Sequence, residues 1–133
     1  EYTKKYDPNQ PLTIGLEHGG LDARFADKLD VFAFHNYGAP TALRAAIRRV
    51  KELGNQHRKP VIINEVVRRP HQGFVEAMRV LEDERIGWCF WELMRGSTQF
   101  SRGDDPPQGL IYPDGTYKDA AEIAAVLGFF PKL

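Results

Sequence analysis

Four short apolar runs alternate along the chain with longer amphipathic segments. The runs are of strand length, contain many β-branched and aromatic residues, and cover 11–16, 30–34, 60–64 and 86–91. Strands that are apolar at nearly every position are typical of a parallel sheet covered by helices. The pattern therefore predicts four β-strands of this kind.

The segments between and after these runs repeat apolar side chains every three or four positions, which predicts four helices. Pro40 occupies a favoured first helical position, Gly54 predicts the end of that helix, and the last helix is predicted over 118–127. The apolar stripes are Leu21, Phe25 and Leu29; Leu43, Ile47, Val50 and Leu53; Phe74, Met78 and Leu81; and Ile123 and Leu127. The predicted order is βαβαβαβα in one α/β domain, 1–133.

Charge and cysteine content exclude several functions. The formal net charge is zero, so the chain lacks the basic excess that a nucleic-acid or anionic-membrane binder needs. No apolar run approaches the roughly 20 residues of a membrane span. A single cysteine, Cys89, allows no intrachain disulfide, and we expect it to be a buried small hydrophobe. No His/Glu pair has the helical spacing of a zinc motif, so neither a metal nor a cofactor is predicted.

Polar and aromatic residues follow each strand, at the end where β/α folds place their sites. Alternation along a strand predicts which of them share one side. Glu65 is expected to face the same side as Val61 and Ile63, and His35 the same side as Ala33, because each shares sequence parity with those residues. The residues expected to converge are Glu17, His35, Tyr37, Glu65 and Trp91, with Asn36 beside them.

This set of side chains suits sugar chemistry. A carboxylate such as Glu65 can attack an anomeric carbon, and a tyrosine hydroxyl can hold it in position. The Trp91 indole can stack on a pyranose, and His35 and Asn36 can bond to sugar hydroxyls. The alternatives are a surface carboxylate for Glu65 and core packing for Trp91. A phosphate-binding β/α protein is disfavoured, because the first strand is followed by EHGG rather than a G-x-G-x-x-G loop.

Four segments carry a family resemblance. They are FHNYG (34–38), KPVIINEVVRRP (59–70), IGWCFWELMRGSTQ (86–99) and GLIYPDGTYKDAAEI (109–123), and they resemble the C-terminal half of clan-A glycoside hydrolases, most closely the cellulase-like members of family 5. The resemblance implies half of a (β/α)₈ TIM barrel, strands five to eight, acting on β-linked saccharides with retention. It implies Glu65 as nucleophile, His35 and Tyr37 as the His-x-Tyr of the sixth strand, and Trp91 as the sugar-stacking residue.

The chain departs from the family in its second carboxylate. In that family the acid/base Glu lies on the fourth strand, and this chain begins just before the fifth. A retaining glycosidase needs both carboxylates about 5–5.5 Å apart. Glu17 and Glu92 are the remaining acid/base candidates, Glu92 by way of a partner chain.

Two functional hypotheses therefore stay open: a retaining glycoside hydrolase, and a catalytically incomplete half-barrel that at most binds saccharide. A half-barrel has two open strand edges and an uncovered face, which favour association. We expect a homodimer, or a separate N-terminal half-barrel, to complete it. The sequence does not indicate a compartment, and secretion is an expectation from the resemblance alone.

Overall fold

The structure is a computed structural model that describes residues 2–6, 9–16, 23–67, 72–94 and 109–128. Within these residues the elements, in chain order, are α1 (Tyr2–Tyr6), β1 (Gly15–Leu16), α2 (Ala23–Ala26), β2 (Phe32–Asn36), α3 (Pro40–His57), β3 (Val61–Val66), α4 (Phe74–Asp83), β4 (Gly87–Trp88) and α5 (Ala120–Val126). The predicted alternation of strands and helices is confirmed, and α1 precedes it.

The four strands form one parallel sheet in the order β1-β2-β3-β4. Gly15 pairs with Ala33, and Ile62 pairs with both Ala33 and Gly87. Sequential strand order with a helix after each strand is the arrangement of part of a (β/α)₈ barrel. Because all four strands run the same way, their carboxyl ends lie at one edge of the sheet.

The core lies between the sheet and the helices α3 and α4. Phe32, Phe34 and Ile63 are fully buried on this side, which we call the helix face. They join one apolar cluster with side chains of α3 and α4, among them Leu43, Ile47, Phe74 and Leu81. The stripes predicted from the sequence for these two helices are therefore the buried ones.

The opposite side of the sheet, which we call the open face, has exposed residues on both edge strands of the described sheet. Gly15 on β1 and Gly87 on β4 are exposed, whereas Ala33 on the central strand β2 is fully buried. Cys89 follows β4 with the parity of Gly87 and is also exposed, so the prediction of a buried cysteine is wrong. It fails because no described element covers the open face above this position.

The prediction that Gly54 ends α3 is wrong. The helix continues to His57 and ends at Arg58, which adopts the left-handed conformation with φ 54°. A Cβ on Gly54 would lie 2.5 Å from Val61 Cγ2 and 2.9 Å from the Lys59 carbonyl oxygen. The glycine is therefore explained by close contact between α3 and the start of β3, and not by helix termination.

Other boundaries differ by a few residues from prediction. The edge strands are short, because β1 and β4 have two residues each where six were expected. β2 and β3 extend further than predicted, to Asn36 and Val66. α5 begins at Ala120, because the Asp119 side chain accepts hydrogen bonds from the amides of Ala121 and Glu122. Within the described residues, every helix is too short or too polar to span a bilayer.

A charged cluster joins α3 to the C-terminal end of α4. Glu84 Oε1 lies 2.9 Å from Arg44 Nη1 and 2.9 Å from Arg48 Nη2, while Lys51 Nζ donates to the Glu84 carbonyl oxygen at 2.6 Å. The cations thus meet the negative end of the α4 dipole. The hydrogen bond from Arg48, followed by that from Arg44, lowers the pKa of the Glu84 carboxyl below its ordinary value.

We expect Glu84→Gln to lower the melting temperature at pH 7 by roughly 2–4 °C and to have a smaller effect at pH 3. Because the folded-state pKa is depressed, the ionised carboxylate stabilises the fold above its unfolded pKa, near 4.5, and this contribution is lost as the pH falls through the folded value. Thermal unfolding between pH 3 and 7 measures the effect. Glu82→Gln, at an exposed position of the same helix, is the control. An equal loss at both pH values would contradict the assignment.

Candidate functional site

A bulge at the end of β3 sets the direction of Glu65. Phe34 pairs with Ile63, but the next residue of β2, His35, pairs with Glu65, so Asn64 is an extra residue on β3. Ile63 therefore points to the helix face, while Glu65 joins His35 on the open face. The predicted convergence of Glu65 and His35 is confirmed, but the parity used to predict it, shared with Val61 and Ile63, is wrong.

The centre of the candidate site is the Glu65 carboxylate. Tyr37 Oη donates a hydrogen bond to Glu65 Oε1, and His35 Nδ1 lies 3.1 Å from Oε2. The side chains of His35 and Glu65 are 22% and 24% exposed, so the carboxylate is held on two sides and still accessible. With its proton on Nδ1, His35 keeps a lone pair on Nε2.

Gly15 provides the space in which the histidine lies. A Cβ on Gly15 would meet His35 Nε2 at 2.6 Å and Asn64 Nδ2 at 2.7 Å. Both nitrogens therefore approach the backbone of β1, and a larger residue there would displace His35 from Glu65. The Asn64 Oδ1 atom is buried and has no hydrogen-bond partner among the described residues. Neither Gly15 nor Asn64 was predicted from the sequence to be a site residue, because the register that brings them together depends on the bulge.

Asn36 is used within its own loop. Its Oδ1 accepts a hydrogen bond from the Gly38 amide at 3.0 Å, which closes a turn after β2. This contact orders the loop that carries Tyr37. A direct contact between Asn36 and a saccharide, expected from the sequence, stays a prediction.

The segment after β4 brings Trp91 and Glu92 to the same edge of the sheet. The Trp91 amide donates to the Val66 carbonyl oxygen at 2.9 Å, and Trp91 is 38% exposed, which leaves an indole surface accessible. The peptide bond between Trp91 and Glu92 is cis. Glu92 is half-buried, and its Oε1 is buried without a hydrogen-bond partner in the part of the chain that the structure describes. Glu17, the other acid/base candidate, lies outside the described residues.

The arrangement orients the Glu65 carboxylate. Glu65 presents ionisable oxygens at the end of a strand, and two hydrogen-bonding side chains fix its direction. No group of three or more His, Cys, Asp or Glu residues among those described could hold a metal ion. A carboxylate that is oriented and accessible in this way is a group that can act as a nucleophile.

Comparisons with known proteins give a fold and no family assignment. No family model and no curated protein matches the chain. A family 17 β-1,3-glucanosyltransferase from Rhizomucor miehei matches with a TM-score of 0.57 at 11% identity, over 88% of this chain and 52% of that one. A family 128 (subgroup V) exo-β-1,3-glucanase from Cryptococcus neoformans matches with a TM-score of 0.58 at 14% identity, over 98% of this chain and 59% of that one.

An active-site mutant of the Rhizomucor miehei β-1,3-glucanosyltransferase, solved with laminaritriose, also matches, with a TM-score of 0.55 at 10% identity over 88% of this chain and 52% of that one. This chain thus spans a little over half the length of these solved chains. The similarity is to families 17 and 128, and the family 5, cellulase-like assignment stays a prediction. Four parallel βα units of this chain are built like part of a glycoside hydrolase TIM barrel.

Proposed function

We propose that this chain carries the nucleophile half of a retaining glycosidase or transglycosidase site for β-linked glucans. The observation that carries the proposal is the Glu65 carboxylate held by Tyr37 and His35 at the carboxyl end of a parallel strand. The fold similarity to families 17 and 128 supports it, and the activities of those proteins make β-1,3-glucan the first substrate class to test.

The proposed reaction proceeds in two displacements. A Glu65 carboxylate oxygen bonds to the anomeric carbon while the glycosidic C–O bond breaks, and the departing oxygen takes a proton from an acid. Water or a sugar hydroxyl then attacks the anomeric carbon from the face opposite Glu65 and gives up its proton to a base. The bond between the anomeric carbon and the Glu65 oxygen breaks, which frees the carboxylate. Tyr37 and His35 hold the carboxylate before the first step, and an exposed Trp91 ring is available for the sugar face.

The first displacement also requires an acid. Glu92 is the described candidate, because one of its oxygens is buried and lacks a partner among the described residues. Glu17 is the second candidate, at the position after β1. A domain that lacks the acid binds saccharide and reacts only with substrates whose leaving group needs no protonation. This incomplete form is the second functional hypothesis.

A reagent with a good leaving group separates the nucleophile from the acid. The reagent is 2,4-dinitrophenyl 2-deoxy-2-fluoro-β-glucoside, whose dinitrophenolate departs without a proton. The fluorine slows the second displacement, so a covalent sugar accumulates on the nucleophile. We expect mass spectrometry to find one fluoroglucosyl group on the peptide that contains Glu65. Reaction without labelling, or a label on another residue, would contradict the proposal.

We further propose that a second copy of the chain completes the barrel. β1 and β4 are the edge strands of the described sheet, and Gly87 and Cys89 are exposed on the open face, which supports an association along the sheet. A separate chain of four further βα units is the alternative occupant.

Light scattering over a dilution series tests the assembly. We expect the mass to approach twice that of one chain at high concentration and to fall on dilution, because closure buries both strand edges. Cys89→Arg, which places a charge on the open face, is expected to shift the midpoint to higher concentration. A constant monomer mass would contradict the homodimer and favour a separate partner.

A further inference from the structure

Gln72 is a buried polar residue of the described chain that the proposed reaction does not use. It immediately precedes Gly73, the N-cap of α4, and it is 1% exposed. A buried carboxamide is costly unless its oxygen and its nitrogen both find partners. Both of them do so here, with the backbone of two different loops.

The two contacts join the loops after β2 and β3. Gln72 Oε1 accepts from the Val67 amide at 2.6 Å, and Gln72 Nε2 donates to the Gly38 carbonyl oxygen at 2.7 Å. Gly38 directly follows Tyr37, and Val67 is two residues beyond Glu65. One side chain thus fixes the backbone next to both partners of the Tyr37–Glu65 hydrogen bond.

The Val67 backbone has a conformation that the hydrogen bond to Gln72 helps to hold. Val67 has φ 74°, a conformation that a β-branched residue rarely adopts, and its side chain is 1% exposed. Such a conformation persists only where its surroundings hold it. The hydrogen bond from the Val67 amide to Gln72 is one of the contacts that hold it.

We propose that Gln72 is a positioning residue for the nucleophile, acting through the two loops to keep Tyr37 within reach of Glu65. The proposal rests on the proposed function for its consequence, but the geometry it describes can be measured without a saccharide. The site requires an acceptor and a donor on one side chain. Glutamine supplies both, leucine supplies neither, and an ionised glutamate supplies only the acceptor.

The test uses Gln72→Leu and Gln72→Glu in the full chain. The readout is the ¹³Cζ signal of Tyr37, assigned with Tyr37→Phe. In Gln72→Leu we expect this signal to move toward that of the exposed Tyr117, because the loop after β2 is released. Gln56→Leu, at an exposed position of α3, is the matched control and is expected to leave the signal unchanged.

Gln72→Glu keeps the side-chain volume, so it tests the idea even if the leucine variant does not fold. At pH 8 the ionised Glu cannot donate to Gly38, and we expect the Tyr37 signal to be displaced from the wild-type position. Burial raises a carboxyl pKa, so at pH 5 the protonated acid can donate again and the signal is expected to return to that of the wild type at the same pH. A purely structural role for Gln72 predicts no such return.

The rate of labelling by the fluoroglucoside connects this geometry to function. We expect the second-order rate to fall about tenfold in Gln72→Glu at pH 8, with the wild-type rate largely regained at pH 5. A Tyr37 signal that stays at the wild-type position in folded Gln72→Leu, or in Gln72→Glu at pH 8, would overturn the positioning role. Absence of labelling in the wild type would instead reject the proposed function, while the Tyr37 signal still decides about Gln72.

Discussion

Replacing Glu65 by glutamine is expected to abolish covalent labelling and to slow turnover of an activated aryl β-glucoside by about 10⁴-fold or more, which is the scale of losing a nucleophile. The amide is nearly isosteric and still accepts the Tyr37 hydrogen bond, so the fold should be unaffected. The loss would therefore be chemical. Initial rates of dinitrophenol release and the mass of the intact protein measure it.

Azide provides a positive control for the role of Glu65. In Glu65→Gly, azide can enter the vacated space and attack the anomeric carbon from the face opposite the leaving group, which gives the α-glycosyl azide. A β-glycosyl azide would indicate that the removed group was the acid/base. Glu76→Gln, exposed on α4, is expected to react at the wild-type rate. Unchanged turnover in Glu65→Gln would contradict the nucleophile assignment.

Replacing Phe34 by alanine is expected to lower the free energy of unfolding by about 3–5 kcal/mol, which is a large part of the roughly 5–15 kcal/mol typical of a domain. Phe34 is fully buried on the helix face, in the strand that lies between β1 and β3. Its removal leaves a cavity that α3 and the sheet cannot close without moving. Urea denaturation, with the slope checked for a change in exposed surface, measures the loss.

The neighbouring residue gives the matched comparison. His35 follows Phe34 but points to the open face, where its side chain is 22% exposed. We expect His35→Ala to change the free energy of unfolding by less than about 1 kcal/mol and to slow labelling of Glu65. Similar losses of stability for the two variants would contradict the assignment of the two residues to opposite faces.

The sequence was sufficient to predict the order of the elements and the buried stripes of α3 and α4. These follow from local periodicity, because apolar residues recur every three or four positions along each helix, starting at Leu43 in α3 and at Phe74 in α4. It was also sufficient to predict that His35, Tyr37 and Glu65 meet, since they lie at the carboxyl ends of neighbouring parallel strands, although the parity assigned to Glu65 was wrong. The edge strands were overestimated, because strand length depends on neighbours, and β1 and β4 each have a neighbour on one side within the described sheet.

Features that depend on contacts between distant segments were missed. In the sequence, Gly54 has the pattern of a residue that ends a helix. The structure explains the glycine by the close approach of Val61 and Lys59, which leaves no room for a side chain. Gln72 belongs to no sequence pattern, because its role depends on the Val67 amide and the Gly38 carbonyl, which two separate loops supply. The bulge at Asn64 has no local signature within a run of β-branched residues.

The bulge at Asn64 has a consequence for how this chain is aligned with others. The register gains one residue between Phe34/Ile63 and His35/Glu65, so residue counting along β3 is displaced by one after Ile63. Consider an ungapped alignment of β3 with a strand that lacks the bulge, with the starts of the two strands matched. The residue of the other strand that corresponds in space to Glu65 is then aligned with Asn64, and a one-residue gap is needed to align it with Glu65. A comparison that allows no insertion there would therefore place Asn64, and not Glu65, opposite the corresponding residue of a relative that lacks the bulge.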